Sequence, residues 1–147
     1  MNPFFILAGA LMMAIFAMQG GVSVSGFTTA AQDVNVQSDL SSFSVAQSGY
    51  SAMNSVYAPS VAALSGSQNG ISTMFQPTSG VLKAYAVNAA GTSYVFVEQS
   101  ASGKYFAKTN TQSGFGSGAT LAAALTAAGA TSAWATANNV TLPTAVS

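Results

Sequence analysis

The chain predicts an α+β fold. A long N-terminal α-helix, apolar in its first half and amphipathic in its second, packs on a small antiparallel β-sheet of three or four strands, and a short C-terminal helix follows. Three observations predict it. Residues 4–18 form a nearly unbroken apolar run. Val36, Leu40, Phe43, Gln47, Tyr50 and Tyr57 recur at helical spacing along one face. Three runs rich in aromatic and β-branched residues, 81–87, 93–99 and 104–109, are separated by "NAAGT" and "SASG", loops of hairpin length that contain Gly91 and Gly103.

The opening run has no Lys or Arg before it or for a long way after it. A secretory signal would carry a basic n-region, and the nearest small-x-small site, Ala8-Gly9-Ala10, falls inside the apolar stretch. At a rise of about 1.5 Å per residue, residues 4–18 span about 22 Å as a helix, short for a bilayer, and the helix reaches about 30 Å only if residues 19–24 are included. A helix that is apolar all round is one that is buried all round. We therefore read residues 1–27 as a helix whose side chains Phe4, Phe5, Ile6, Leu7, Leu11, Met12, Ile15 and Phe16 pack against copies of themselves. Gly20, Gly21 and Gly26 are expected to loosen that helix, at about 1 kcal/mol each relative to Ala.

Residues 28–147 read as one globular domain. Its helix, 28–58, places Val36, Leu40, Phe43, Tyr50 and Tyr57 against the sheet and turns Asp33 and Asp39 off that stripe toward solvent or a neighbouring subunit. Pro59 disfavours helical geometry in Ala58 and is expected to close the helix there. Residues 60–80, rich in Ser, Gly, Asn and Gln, read as a loop long enough to carry a partner contact. The sheet, 81–109, is expected to be a meander, with Glu98 and Lys104 positioned to pair across its second turn. In 110–147, "ATLAAALTAAG" reads as a short helix stopped by Gly129, Trp134 as a core residue, and Asn139-Val140-Thr141 as a candidate N-glycosylation site at Asn139.

Composition narrows the function classes. Of 147 residues, three are Lys or Arg and three are Asp or Glu, and there is no His and no Cys. The chain therefore lacks the commonest general base and metal ligand, any thiolate and any disulfide. Three carboxylates offer little for acid–base or metal chemistry, so no enzyme, no cofactor and no metal site are expected. Zero net charge gives no electrostatic case for nucleic acid and favours self-association.

The layout resembles the type IV pilin superfamily. "SDLSSFSVAQSGYSAMNSVYAPS" is similar to the stretch of bacterial pilins and type II secretion pseudopilins in which an Asp-Leu-Ser turn leads through a Tyr and an Asn to a Tyr-x-Pro exit. Those positions are Asp39, Leu40, Ser41, Tyr50, Asn54, Tyr57 and Pro59 here. "GTSYVFVEQSASGKYF" is similar to a pilin hairpin with an aromatic strand followed by Ser-Gly-Lys. Two departures are visible: no short basic leader precedes the apolar run, and Phe5 stands where bacterial members carry Glu. If Met1 is the mature first residue, the resemblance implies its N-methylation. The absent acid, the low charge, the Ser/Thr/Ala richness and the sequon at Asn139 resemble archaeal pilins, whereas the helix and hairpin patterns resemble bacterial ones.

The resemblance implies a subunit of an extracellular helical filament, a homo-oligomer of many copies serving adhesion or motility. Such a subunit is held in the inner or cytoplasmic membrane before assembly and handled by pilus assembly machinery. Burial of the apolar run in a filament core would stabilise each subunit by about 10–20 kcal/mol before association costs. Two readings stay open beside it: a type II secretion pseudopilin, and a surface binding domain tethered by one helix.

Overall fold

The computed structural model describes residues 24–65 and 75–147. The expected methylation site Met1 and assembly residues Phe4, Phe5, Ile6, Leu7, Leu11, Met12, Ile15 and Phe16 lie outside the described residues, as do Gly20, Gly21, Ile71 and Met74. The chain divides between Ala31 and Gln32 into two units, and the sheet with the helices packed on it belongs to the second, Gln32–Ser147. Among the described residues, no helix is long and apolar enough to cross a membrane.

Helix α1, Val24–Asn54, is followed by the one-turn helix α2, Val61–Ser65. Strands β1 (Leu82–Val87), β2 (Tyr94–Gln99), β3 (Tyr105–Thr109) and β4 (Gly116–Gly118) form one antiparallel sheet in sequential order. Helices α3 (Leu121–Ala127) and α4 (Ser132–Asn138) follow. The fold is therefore α+β, with a long N-terminal helix, a four-stranded meander and two short C-terminal helices where one was expected. The second helix exists because Gly129, at φ 74°, stops the first and Thr131 starts another, its side chain accepting from Trp134 N at 3.2 Å.

The sheet has two dressed faces, a consequence of the two-residue side-chain period. Phe96 and Tyr94 on β2, Tyr85 and Val87 on β1 and Phe106 on β3 pack in one cluster with Val36, Leu40, Phe43 and Ala46 of α1, joined by Leu64 and Phe75. Val95, Val97 and Ala107 face the other way, onto Ala124, Leu125, Ala128, Ala130 and Val140. Trp134 packs at the margin of this second cluster, half-buried, with Nε1 donating to Thr111 Oγ1 at 3.0 Å. Helix α3 sits close on the sheet because β4 is Gly-Ser-Gly: a Cβ on Gly116 would overlap the backbone of Ala127 and Ala128.

Several expectations are corrected. Gly26 lies inside α1 and does not interrupt it. The helix ends at Asn54, not at Ala58. Ser55 adopts φ 62°, and the next residues give their backbone groups to other partners, Tyr57 N donating to Gly91 O at 2.7 Å and Ala58 N to Gln47 Oε1 at 2.9 Å. Tyr57 thus reaches the aromatic cluster from outside the helix. The 60–80 segment is not wholly loop, since it contains α2. Asp33 and Asp39 face inward: Asp33 Oδ1 accepts from Ser102 Oγ at 2.6 Å and Asp39 Oδ2 from Thr78 N at 2.7 Å. Glu98 does not pair with Lys104, because it points into the core.

Phe43 is fully buried, stacked on Phe96 at 4.0 Å between ring centroids and edge-on to Phe75, Tyr85 and Tyr94. Phe43→Ala should destabilise the domain by about 3–5 kcal/mol, read as a fall in the urea midpoint at unchanged slope.

Candidate functional site

Val36, Leu40 and Phe43 are buried on the sheet side of α1, as their spacing predicts. Tyr50 and Tyr57 are half-buried at the edge of the same cluster, with Tyr57 edge-on to Tyr94 at 4.8 Å. Gln47, on the same stripe, is fully buried and works as a hydrogen-bonding hub. Its Nε2 donates to Tyr85 Oη at 2.9 Å, its Oε1 accepts from Ala58 N at 2.9 Å, and Tyr85 Oη donates to Ala58 O at 2.6 Å. This closed ring joins helix, strand and exit segment, and burial pushes the Tyr85 phenol well above its ordinary range. Tyr85→Phe should destabilise the domain by about 1–3 kcal/mol in urea titrations, since it strands Gln47 Nε2 and Ala58 O in the interior.

The placement of charge is the most unusual property of the domain. All six charged side chains lie among the described residues. Asp33 and Asp39 hold Ser102 and Thr78, Glu98 is buried, and Lys83 Nζ donates to Val81 O at 3.1 Å. Lys108 is buried, and its ammonium donates to the carbonyls of Gln112, Ser113 and Gly114, fastening that turn to β3 while burial lowers its pKa. Only Lys104 is exposed, lying 5.3 Å from the centroid of the Phe106 ring. The exterior is left to neutral groups: Ser, Thr, Asn, Gln and Ala, with Val34 and Val45 standing out from α1 at 59% and 73% exposure.

Concavities beside α1 interrupt this surface. A cleft of about 430 Å³ runs between Gln32, Asn35 and Val36 on α1 and the 78–82 and 99–103 segments, with no ionisable side chain in its lining. A smaller groove of about 210 Å³ lies between Ser41, Ser44 and Val45 and the turn capped by Lys108, with Phe115 on its rim. Among the described residues, no three acidic groups come together in a way that could hold a metal ion.

Asn139 is exposed, in left-handed geometry at φ 53°, as the C-terminal cap of α4. The neighbouring Asn138 is tied inward, accepting from Ser93 Oγ at 2.8 Å and donating to Trp134 O at 2.8 Å. The side chain of Asn139 is thus the one presented outward.

Compared with known family models, characterised proteins and solved structures, the chain finds no match. Sequence periodicity found the buried face of α1. The inward turn of the carboxylates had no local signal, since their partners, Ser102 and Thr78, are far away in the chain.

Proposed function

We propose that this chain is a non-catalytic structural subunit of the type IV pilin kind, which polymerises through bundling of its apolar N-terminal segment into an extracellular filament serving adhesion or motility. The observation that carries the reading is the nearly chargeless exterior. Identical copies packed side by side repeat every surface charge at close range, and a domain with six charged side chains, two of them buried, three half-buried and one exposed, keeps that repulsion small. The long helix with a meander on one face, and the apolar run ahead of it in the sequence, support the same reading. Asn139 is the outward-facing modification candidate, and the 60–80 segment the candidate for partner contact.

In this reading Phe4, Phe5, Ile6, Leu7, Leu11, Met12, Ile15 and Phe16 line the filament core and wait in the membrane before assembly, Met1 carries the mature N-methyl group, and pilus assembly machinery performs the transfer. The test is the yield of filaments in material sheared from cells, by sedimentation and electron microscopy. Leu11→Asp should abolish them, because a carboxylate in an apolar bundle has no counter-charge, while the domain keeps wild-type urea stability. Wild-type filament yield from Leu11→Asp would overturn the bundle. A wild-type chain that never pellets would instead be a tethered surface domain.

A further inference from the structure

Glu98 occupies β2 on the face that looks at α1, two residues from Phe96. It has no exposed surface, and its two carboxyl oxygens are the buried side-chain polar atoms without a hydrogen-bond partner among the described residues. In a chain with three carboxylates, where the other two accept bonds at 2.6 and 2.7 Å, this exception has no packing explanation. An isosteric apolar residue would fill the space without desolvating a carboxyl group.

The groups around it are few. On β1, Lys83 stands directly opposite Glu98 in the strand register, within reach of a cross-strand pair, yet its Nζ is turned to Val81 O. On β3, Phe106 stands opposite on the other side, with Lys104 against its ring. On α1, Asp39 is the carboxylate close enough to act on Glu98, held to Thr78 N. Asp33, six residues earlier on the helix, is committed to Ser102.

We propose that Glu98 is a proton-operated latch between the sheet and α1. Protonated, it is neutral and the helix closes over it. On losing its proton it calls Lys83 away from the Val81 carbonyl, and the Val36–Phe43 stretch of α1 loosens from the sheet. The latch belongs to the single domain and does not depend on the filament reading.

The direction of the pH dependence follows from the buried site. Burial first, and then the Asp39 charge, push the Glu98 carboxyl up to about 8, with Lys83 pulling the other way. The folded chain therefore holds a proton that the unfolded chain releases near its ordinary value of 4.5. Stability from this group is complete below about pH 4.5, falls as pH rises toward 8, and is spent above it. Within that window the unfolding constant should rise by up to about tenfold per pH unit. Burial pushes Tyr85 and Tyr94 up and Lys108 down, and all three are common to wild type and variants, so a difference between the two isolates Glu98.

The test uses the full chain in detergent, with urea unfolding from pH 5 to 8.5 and hydrogen exchange read peptide by peptide. Wild type should lose stability steadily across the range. Glu98→Gln, and the carboxyl-free Glu98→Met, should be more stable at pH 7 and flat across it. Exchange corrected for its intrinsic pH dependence should accelerate on alkalinisation in peptides from α1 and β1 of wild type only, with α3 and α4 unchanged. Lys83→Met should lower the alkaline stability further. A wild-type profile as flat as the variants', a variant with the wild-type slope, failure of both Glu98 variants to fold, or acceleration spread equally over α3 and α4 would each overturn the latch.

Discussion

The domain depends on one contact: the face of α1 that carries Val36, Leu40 and Phe43, laid on the aromatic side of the meander. The stack of Phe43 on Phe96 is its centre, and Phe75, Tyr85 and Tyr94 close round the same ring with edges toward it. Offset and edge-on rings satisfy their quadrupoles better than a sandwich of faces, so the cluster sets an orientation as well as an area. The second cluster, under α3 and α4, is built from Ala, Val and Leu and could slide more easily. It is held instead by close approach, since the glycines of β4 leave no side chain between helix and strand.

Polar groups inside the domain come in two kinds, and the difference separates structure from regulation. The Gln47, Tyr85 and Ala58 ring uses both ends of the Gln47 amide and the Tyr85 hydroxyl as donor and acceptor, so burying it carries little penalty and defines where the helix must stop. Asn88 plays a similar part at the first turn, accepting from Thr92 N at 2.8 Å and donating to Asn138 O at 2.9 Å, which ties the hairpin to α4. Glu98 has no such partners. A buried ionisable group left unsatisfied makes the packing above it conditional on a proton.

Much of this was legible in the sequence where the signal is local. The stripe of Val36, Leu40 and Phe43 needed only helical spacing, and the three long strands needed only aromatic runs between turns with Gly91 and Gly103, both of which take positive φ. The stop of α3 at Gly129 was likewise local, with Ala130 N donating back to Leu125 O at 2.8 Å. What escaped was set by partners distant in the chain. Pro59 disfavours helical geometry in Ala58, but the actual end at Asn54 follows from bonds that Tyr57 and Ala58 make to Gly91 and Gln47. Asp33 and Asp39 sit off the apolar stripe by periodicity, yet loops from the sheet and from residue 78 come up to meet them. Strand β4, three residues of Gly-Ser-Gly, carries no strand-forming residue and exists because β3 and α3 enclose it.

The pairing of Ser147 with Lys83 bears on how copies of the chain can meet. β1 is the outer strand of the sheet, and an outer strand with free backbone groups is a template on which another chain can continue the ladder. Here Lys83 N donates to Ser147 O at 3.2 Å and Ser147 N to Lys83 O at 3.1 Å, so one rung of that ladder is filled from within the molecule. A protein with so little surface charge has few other defences against amyloid-like growth. Self-pairing at that rung withdraws one donor and one acceptor from the edge to which a further strand would have to add.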